Sequence, residues 1–398
     1  MPHHDPPIYL DAAASTPLRA EALQAMLPYF AADFGNPSGH YAHGRRAADA
    51  VTAAREQIAA ALGALPEEIV FTSGGTESIN AALKGVGFAQ RDAGAGAHII
   101  TTEVEHHAVL HSAQYLERFG FDIELLPVDQ HGCVDPAQVA DAVRPDTALV
   151  SVMYANNEVG TVQPVAAIAR LLRARARELG RPIPFHTDAV QAATSLPLDV
   201  DTLGVDLLSL SGHKFGGPKG TGVLYIRRGV PFLEQLSGGG QERQRRSGTE
   251  NVAGIVGLAV ALALAQAERE QFSARAAMLR DRLLARLRAS LGDLHLNGHP
   301  TERLPHNLHL CFDGVEGESL VDALDAIGIE CSAGAACTSA TWEPSHVLVA
   351  MGVPLERAIG SLRLTTWPTL TEADIDRVAA ALPAVIEQVR LAAAPALP

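Results

Sequence analysis

A lysine framed by small residues, Ser211-Gly212-His213-Lys214-Phe215-Gly216-Gly217, follows the apolar run Val205–Leu210, which reads as a buried strand. An amine at the mouth of a strand is well placed to condense with an aldehyde. A glycine-rich surface turn with a solvated lysine has the same local composition, so the decision rests on the rest of the chain. Ser73-Gly74-Gly75-Thr76-Glu77-Ser78 joins another apolar run to a helical pattern. Glycines there leave backbone N–H groups open, and a helix N-terminus attracts an anion such as phosphate. The nucleotide P-loop is excluded because no Gly-Lys-Ser/Thr closes the turn. An ordinary cap, by Ser73 or Thr76, is the competing reading.

Three further polar groups follow apolar runs. Glu105-His106-His107 offers an imidazole that could stack on a flat ring or exchange protons. His107 and His111, one helical turn apart, lack a third metal ligand, and a solvated helix face accounts for them better. Asn156-Asn157-Glu158 offers amide donors and acceptors, as many ordinary turns do. Asp188, in His186-Thr187-Asp188-Ala189-Val190-Gln191, is either an N-cap or a buried carboxylate for a cationic ring nitrogen. Amine, carboxylate, anion cradle and flat partner together match the needs of pyridoxal 5′-phosphate.

A second reactive segment is Cys331-Ser332-Ala333-Gly334-Ala335-Ala336-Cys337-Thr338-Ser339. Small residues around Cys337 suit an exposed loop whose thiol reaches a substrate. Cys331 ends an apolar run and reads as structural, as do Cys133 and Cys311. The spacing of Cys331 and Cys337 matches neither a zinc site nor a thioredoxin motif.

These residues sit at the ends of alternating strand and helix patterns. Strands are expected at 68–72, 98–101, 147–153, 184–187, 205–210 and 222–226, with helices at 76–85, 108–119 and 165–179. Such alternation predicts a mostly parallel sheet covered on both faces, with ligands beyond the carboxyl ends of its strands. One or two helices over 252–290 lead to a second unit with shorter strands, such as 307–312, and a final helix near 372–392. The division expected is a large domain over 1–260 and a small one over 261–398, with residues 1–15 packing on the small one.

The 398 residues are 47% hydrophobic, enough for one large core and a smaller second one. A net charge of -14 argues against a nucleic-acid or membrane-surface binder. No apolar run is long and clean enough to span a bilayer, and Met1–Pro7 lacks the pattern of a secretion signal. Four cysteines in so long a chain make no disulfide framework, so a reduced, cytoplasmic location is expected.

Ile8-Tyr9-Leu10-Asp11-Ala12-Ala13-Ala14-Ser15-Thr16-Pro17, Gly35-Asn36-Pro37-Ser38, Thr102-Glu103-Val104-Glu105-His106, Ser211–Gly220, Gly238–Glu242 with Arg246–Thr249, and Ala336-Cys337-Thr338-Ser339 followed by Glu343–Leu348 carry a resemblance across nearly the whole chain. The sequence resembles the cysteine desulfurases, class V pyridoxal-phosphate enzymes of the nitrogen-fixation and iron–sulfur-assembly branch. That resemblance implies an α/β fold of the fold-type-I transferases: a mostly parallel seven-stranded sheet plus a smaller α+β C-terminal domain. It implies that Lys214 holds the cofactor covalently, Asp188 pairs with the ring nitrogen, Gln191 bonds the ring hydroxyl and His106 stacks on the ring. Gly75, Thr76, Ser211 and His213 would bind the phosphate, and Thr249 would reach the phosphate of a partner subunit, making a homodimer. Asn157 would contact both cofactor and L-cysteine substrate, and Asn36 and Arg363 the substrate, with Arg363 on its carboxylate. Cys337 would accept the sulfur and pass it to an acceptor such as an iron–sulfur scaffold protein, touching a cluster only transiently; no resident metal is implied. Leu364-Thr365-Thr366-Trp367, Trp342 and Cys331 depart from the family pattern and bear on the pocket rim and the loop. A class V aminotransferase or β-lyase, and an idle scaffold for sulfur transfer, share the fold; the Cys337 block separates the first and the intact Lys214, Asp188 and His106 the second.

Overall fold

The computed structural model describes residues 6–334 and 344–393. In chain order its strands are β1 (Ile8–Tyr9), β2 (Ile69–Thr72), β3 (His98–Thr102), β4 (Asp122–Leu126), β5 (Thr147–Ser151), β6 (Phe185–Asp188), β7 (Leu207–Ser211), β8 (Gly222–Ile226), β9 (Leu294–Leu296), β10 (Asn307–Phe312), β11 (Ile329–Glu330) and β12 (Ser361–Thr365). Seven of them form one sheet in the order β2-β8-β7-β6-β5-β3-β4. Only β8 runs against the rest, so the sheet is mostly parallel, as expected.

The inner strands are buried along their whole length, which is why they read as continuous apolar runs. β4 is different. Asp122 and Leu125 are exposed and Ile123 and Glu124 half-buried, so this edge strand lacked a clear pattern and sequence reasoning missed it. Helices cover both faces. Val252–Ala267 is apolar on all sides because it lies inside the main core, with Leu258 and Leu262 packed in the same cluster as Val51 and Ile58 of the helix Ala42–Leu62. The 252–290 segment is two helices, Val252–Ala267 and Arg269–Ser290, bent by 68°. Among the described residues no single helix is long and apolar enough to cross a membrane.

A second core is built from the antiparallel sheet β12-β10-β9, the helix Arg269–Ser290 and the C-terminal helix Glu372–Ala393. The chain's beginning joins it. β1 pairs in parallel with β11, and Ile8 and Leu10 are buried among Leu310, Phe312 and Leu364. From there the chain crosses to the large sheet: the Thr365 hydroxyl accepts from the Ala13 N–H at 2.9 Å, and the Thr16 hydroxyl donates to the His213 carbonyl at 2.9 Å. The residues 11–16 are thus strung between the two cores.

Leu10→Ala leaves a void in the second core and should cost about 2–5 kcal/mol of stability. The check is the shift of the chemical-denaturation midpoint relative to the unaltered protein; an unmoved midpoint would mean that the N-terminal segment is not anchored there.

Candidate active site

The carboxyl ends of β3, β5, β6 and β7 and the start of the helix Gly75–Asp92 meet around a cavity of about 310 Å³. Gly75, Thr76, His106, Asn157, Asp188, Gln191, Ser211, His213, Lys214 and Arg363 all line it. Asn36 and Thr249 do not: both are exposed and lie outside the cavity of a single chain. Cys337 lies outside the described residues, as does Trp342. Of the other cysteines, Cys331 packs against the second core, and burial pushes its thiol up to about 12.

Lys214 follows β7 directly. Its Nζ donates to the carbonyls of Ala13 at 2.6 Å and Ala14 at 2.9 Å, so the N-terminal crossing segment holds the amine. Gln191 reaches the same Ala13 carbonyl through Nε2 at 3.0 Å. Asp188 ends β6, almost wholly buried, and accepts from the Val190 N–H at 3.0 Å. Burial pushes its carboxyl up to about 6, against the pull of that N–H and of the Lys214 charge. Glu105, fully buried close by, is pushed up to about 8 by burial, although the Met153 N–H donates to it at 2.8 Å. Its other oxygen has no hydrogen-bond partner among the described residues. Glu105 has no role assigned from the sequence; a glutamate three residues beyond the buried strand β3 is the one local signal for it.

The anion cradle is sharper than expected. The helix Gly75–Asp92 is capped by Gly74 with no side-chain hydrogen bond, so neither Ser73 nor Thr76 occupies the terminal N–H groups. Glu77 turns back to accept from the Ser73 N–H at 2.9 Å and pairs with Arg246 at 2.8 Å. A Cβ on Gly75 would lie 2.8 Å from Val190 Cγ2 and 3.3 Å from Ser211 Cβ, so only glycine lets the turn close on β7. Gly74 adopts φ +155°, where side chains are disfavoured.

His106 caps the helix His107–Glu117: its Nδ1 accepts from the Ala108 N–H at 3.0 Å. The neutral ring therefore carries its proton on Nε2. Burial, then the charge of Lys214, hold it down at about 4, so it stays neutral. His213, beside Ser15 at 3.3 Å, is likewise held down at about 4 by burial and Lys214. His107 does not sit on a solvated face as expected. It is half-buried, lines the cavity, and its ring centroid is 4.6 Å from that of His346. No local pattern signals that contact, since the partners are far apart along the chain.

Arg363, central in β12, is buried; Nη2 donates to Asp11 at 2.7 Å and Nη1 to the Asn157 carbonyl at 3.0 Å. Asn156, in contrast, is structural: it donates to the Val104 carbonyl and accepts from the N–H groups of Glu158 and Val159.

The cavity thus holds an amine, a buried carboxylate seeking a cation, open helix N–H groups and a buried guanidinium. Comparison with known proteins identifies the arrangement. The class-V aminotransferase family model matches residues 8–378, and a protein named cysteine desulfurase IscS from Methanosarcina thermophila is 51% identical over 96% of this chain and 93% of its own.

The chain belongs to the class-V aminotransferase family, in its cysteine desulfurase branch.

A cysteine desulfurase IscS from Dictyoglomus turgidum is 48% identical over 96% of this chain and 95% of that protein. Among solved structures, a NifS-like protein superposes with a TM-score of 0.89 at 37% identity, covering 96% of this chain and 100% of the other. A structure titled SspA in complex with cysteine does so at 0.78 and 36%, covering 92% and 100%. The family therefore confirms the expected α/β fold with its mostly parallel seven-stranded sheet.

Because burial raises the carboxyls of Asp188 and Glu105, the folded chain binds protons there more readily than the unfolded chain. Their burial costs nothing below the ordinary carboxylate range and destabilises progressively as pH rises toward and through about 6 and about 8. Asp188→Asn should therefore raise the Tm of the ligand-free protein at about pH 8 and change it little at about pH 4, in line with the linkage of charge to stability. Thermal unfolding at both pH values checks this; a Tm gain independent of pH would contradict it.

Proposed function

We propose that the protein is a pyridoxal-phosphate-dependent cysteine desulfurase that takes sulfur from L-cysteine, releases L-alanine and leaves the sulfur as a persulfide on Cys337. What carries the reading is the convergence of Lys214, Asp188 and the open start of the helix Gly75–Asp92 on one cavity, in a chain about half identical to proteins named for this activity. The fit to the cofactor rests on the buried carboxylate and the cradle. Asp188 is too buried to remain charged cheaply without a cation, and a protonated ring nitrogen supplies one. The N–H groups that Gly74 leaves unbonded, with Ser211 and His213 beside them, would take the phosphate; Gln191 and His106 would hold the ring. When bound, pyridoxal phosphate supplies the electron sink for bond changes at the substrate carbons.

The protein's own groups do the rest. Lys214 would anchor the cofactor, and as a neutral amine once released would take the Cα proton. Arg363 would receive the substrate carboxylate on its remaining N–H groups, with Asn157 beside it. His106, carrying its hydrogen on Nε2, donates and stacks. The Cys337 thiolate attacks the substrate sulfur: a S–S bond forms, the substrate C–S bond breaks, and cysteine plus thiol become alanine plus persulfide. The sulfur then passes to an acceptor protein, an iron–sulfur scaffold being the natural one for a relative of proteins named IscS.

We further propose a homodimer in the cytoplasm, its cofactor-holding part spanning 1–260 and its smaller part 261–398. Thr249 is exposed and away from its own chain's cavity, as a residue serving a partner's site must be. Leu27, Phe30 and Phe34 are also exposed, close to Asn36, and apolar side chains of this kind suit a protein interface.

Lys214→Ala should abolish the yellow absorbance of lysine-linked cofactor, and Cys337→Ser should keep that absorbance while losing alanine formation from cysteine. Release at the native rate by Cys337→Ser would remove that thiol from the reaction. Arg363→Ala should raise KM for cysteine by about 10–100-fold, the loss of a charge-assisted pair, and leave the absorbance of bound cofactor nearly unchanged. Steady-state kinetics beside the spectrum separates the two effects.

A further inference from the structure

The histidine pair at the cavity mouth has a direction. His346 opens the helix His346–Ala350 and lines the cavity. Its Nε2 donates to the backbone carbonyl of Glu105 at 2.9 Å. A carbonyl only accepts, so Nε2 keeps its hydrogen and the neutral ring bears its lone pair on Nδ1. His106 has the opposite constraint: its Nδ1 is taken by the Ala108 N–H, so its basic nitrogen is already used. The His107 ring lies 4.6 Å from His346, and its Nδ1 is buried with no hydrogen-bond partner among the described residues. One turn further on, His111 stacks on His107 at 5.0 Å and is exposed, lining a separate surface depression with Gln114 and Tyr115. Three imidazoles in successive ring contact therefore lead from the cavity to solvent.

We propose that His346, His107 and His111 form a proton relay that accepts the thiol proton of the incoming substrate and delivers it to bulk water. This inference rests on the desulfurase reading. In the first step the S–H bond breaks, an N–H bond forms at His346 Nδ1, and the electron pair stays on sulfur, leaving a thiolate. The proton then passes to His107 and, by way of His111, to solvent; nothing is oxidised or reduced. The charged groups facing the relay suit it. Glu158, buried and accepting from the Ser345 hydroxyl, faces His346; burial holds its carboxyl above the usual range against the pull of His346 and Arg363. His107 is held below its usual range by burial, then by His346 and His111, and His106 by burial, then by Lys214 and the three imidazoles. Lys214 disfavours charge on His106, which further removes that ring from the role of base.

The test is the pH profile of kcat/KM for alanine formation by the holoenzyme. His346→Gln keeps an N–H donor for the Glu105 carbonyl and removes the titrating nitrogen. It should lower kcat/KM by about 10²-fold near neutral pH, the usual worth of a positioned proton acceptor. The deficit should close above pH ~9, where cysteine thiols ionise unaided, and added imidazole should restore activity at neutral pH. His107→Gln should show the same shape with a smaller loss. A deficit equal at all pH values and deaf to imidazole, or no deficit, would overturn the relay. Long-range 1H–15N spectra of histidine-labelled holoenzyme give an activity-free readout: His346 should carry its hydrogen on Nε2, and hydrogen on Nδ1 of the neutral ring would overturn the relay. If the unaltered protein makes no alanine from cysteine, the desulfurase reading fails and the relay falls with it; alanine formation by the unaltered protein with a flat pH profile of the deficit in His346→Gln overturns the relay alone.

Discussion

Asp188 is a carboxylate with almost no water and too little positive charge around it. One backbone N–H and the charge of Lys214 do not offset its burial, and its carboxyl sits near 6 instead of in the ordinary range. Such a group is costly in an empty cavity and favourable only when a cation arrives. The sheet makes this unavoidable, because Asp188 ends a strand flanked on both sides by buried neighbours, β5 and β7. The position that makes ligands bind at strand ends also removes the solvent that would otherwise satisfy the charge. The rest of the site can be understood as arranged around that unfinished pair.

The amine's side of the pair depends on distant chain. The Ala13 and Ala14 carbonyls that hold Lys214 belong to a segment tied at one end to β11 and β12 and at the other to His213. Arg363 closes the same loop of interactions, since its partner Asp11 precedes those alanines by two and three residues. Lysine and arginine, about 150 residues apart in sequence, are therefore positioned by one short stretch at the chain's start. The family departure at Thr365 falls into place here: its hydroxyl is the acceptor that fixes Ala13.

Much of the large sheet was legible because fully buried parallel strands leave unbroken apolar runs, as β5 and β8 do. β4 was not, because an edge strand mixes exposed Asp122 and Leu125 with half-buried neighbours. The cavity residues on strand ends, Lys214, Asp188 and His106, could be nominated one by one from their place after apolar runs. Their roles came from family resemblance, since a glycine turn or an Asp-x-x-Gln has ordinary explanations. What no local pattern carries is pairing over long separations. Arg363 with Asp11, His346 with His107 and the Glu105 carbonyl, and Lys214 with Ala13 are set by the meeting of two cores. At the helix Gly75–Asp92 the sequence left two readings open, an anion cradle or a cap by Ser73 or Thr76; Gly74 stands at the cap with no side-chain bond, and Glu77 accepts from the Ser73 N–H.

Neutral histidines give the cavity its polarity. Burial holds His106 and His213 near 4 and keeps His107 below its usual range, so these three imidazoles add no standing positive charge. The lining also holds Lys214, which follows β7 of the large sheet, and Arg363, in β12 of the small one. On the proposed reading, a zwitterionic amino acid would turn its carboxylate toward Arg363, whose Nε has no hydrogen-bond partner among the described residues, while Lys214 donates to the Ala13 and Ala14 carbonyls. Were the histidines protonated, the carboxylate would have several competing partners and the orientation would be lost. The desolvation that makes Asp188 costly thus also suppresses the competing cations, and a single physical cause, exclusion of water at the strand ends, sets both the need for a cationic ligand and the direction in which a substrate enters.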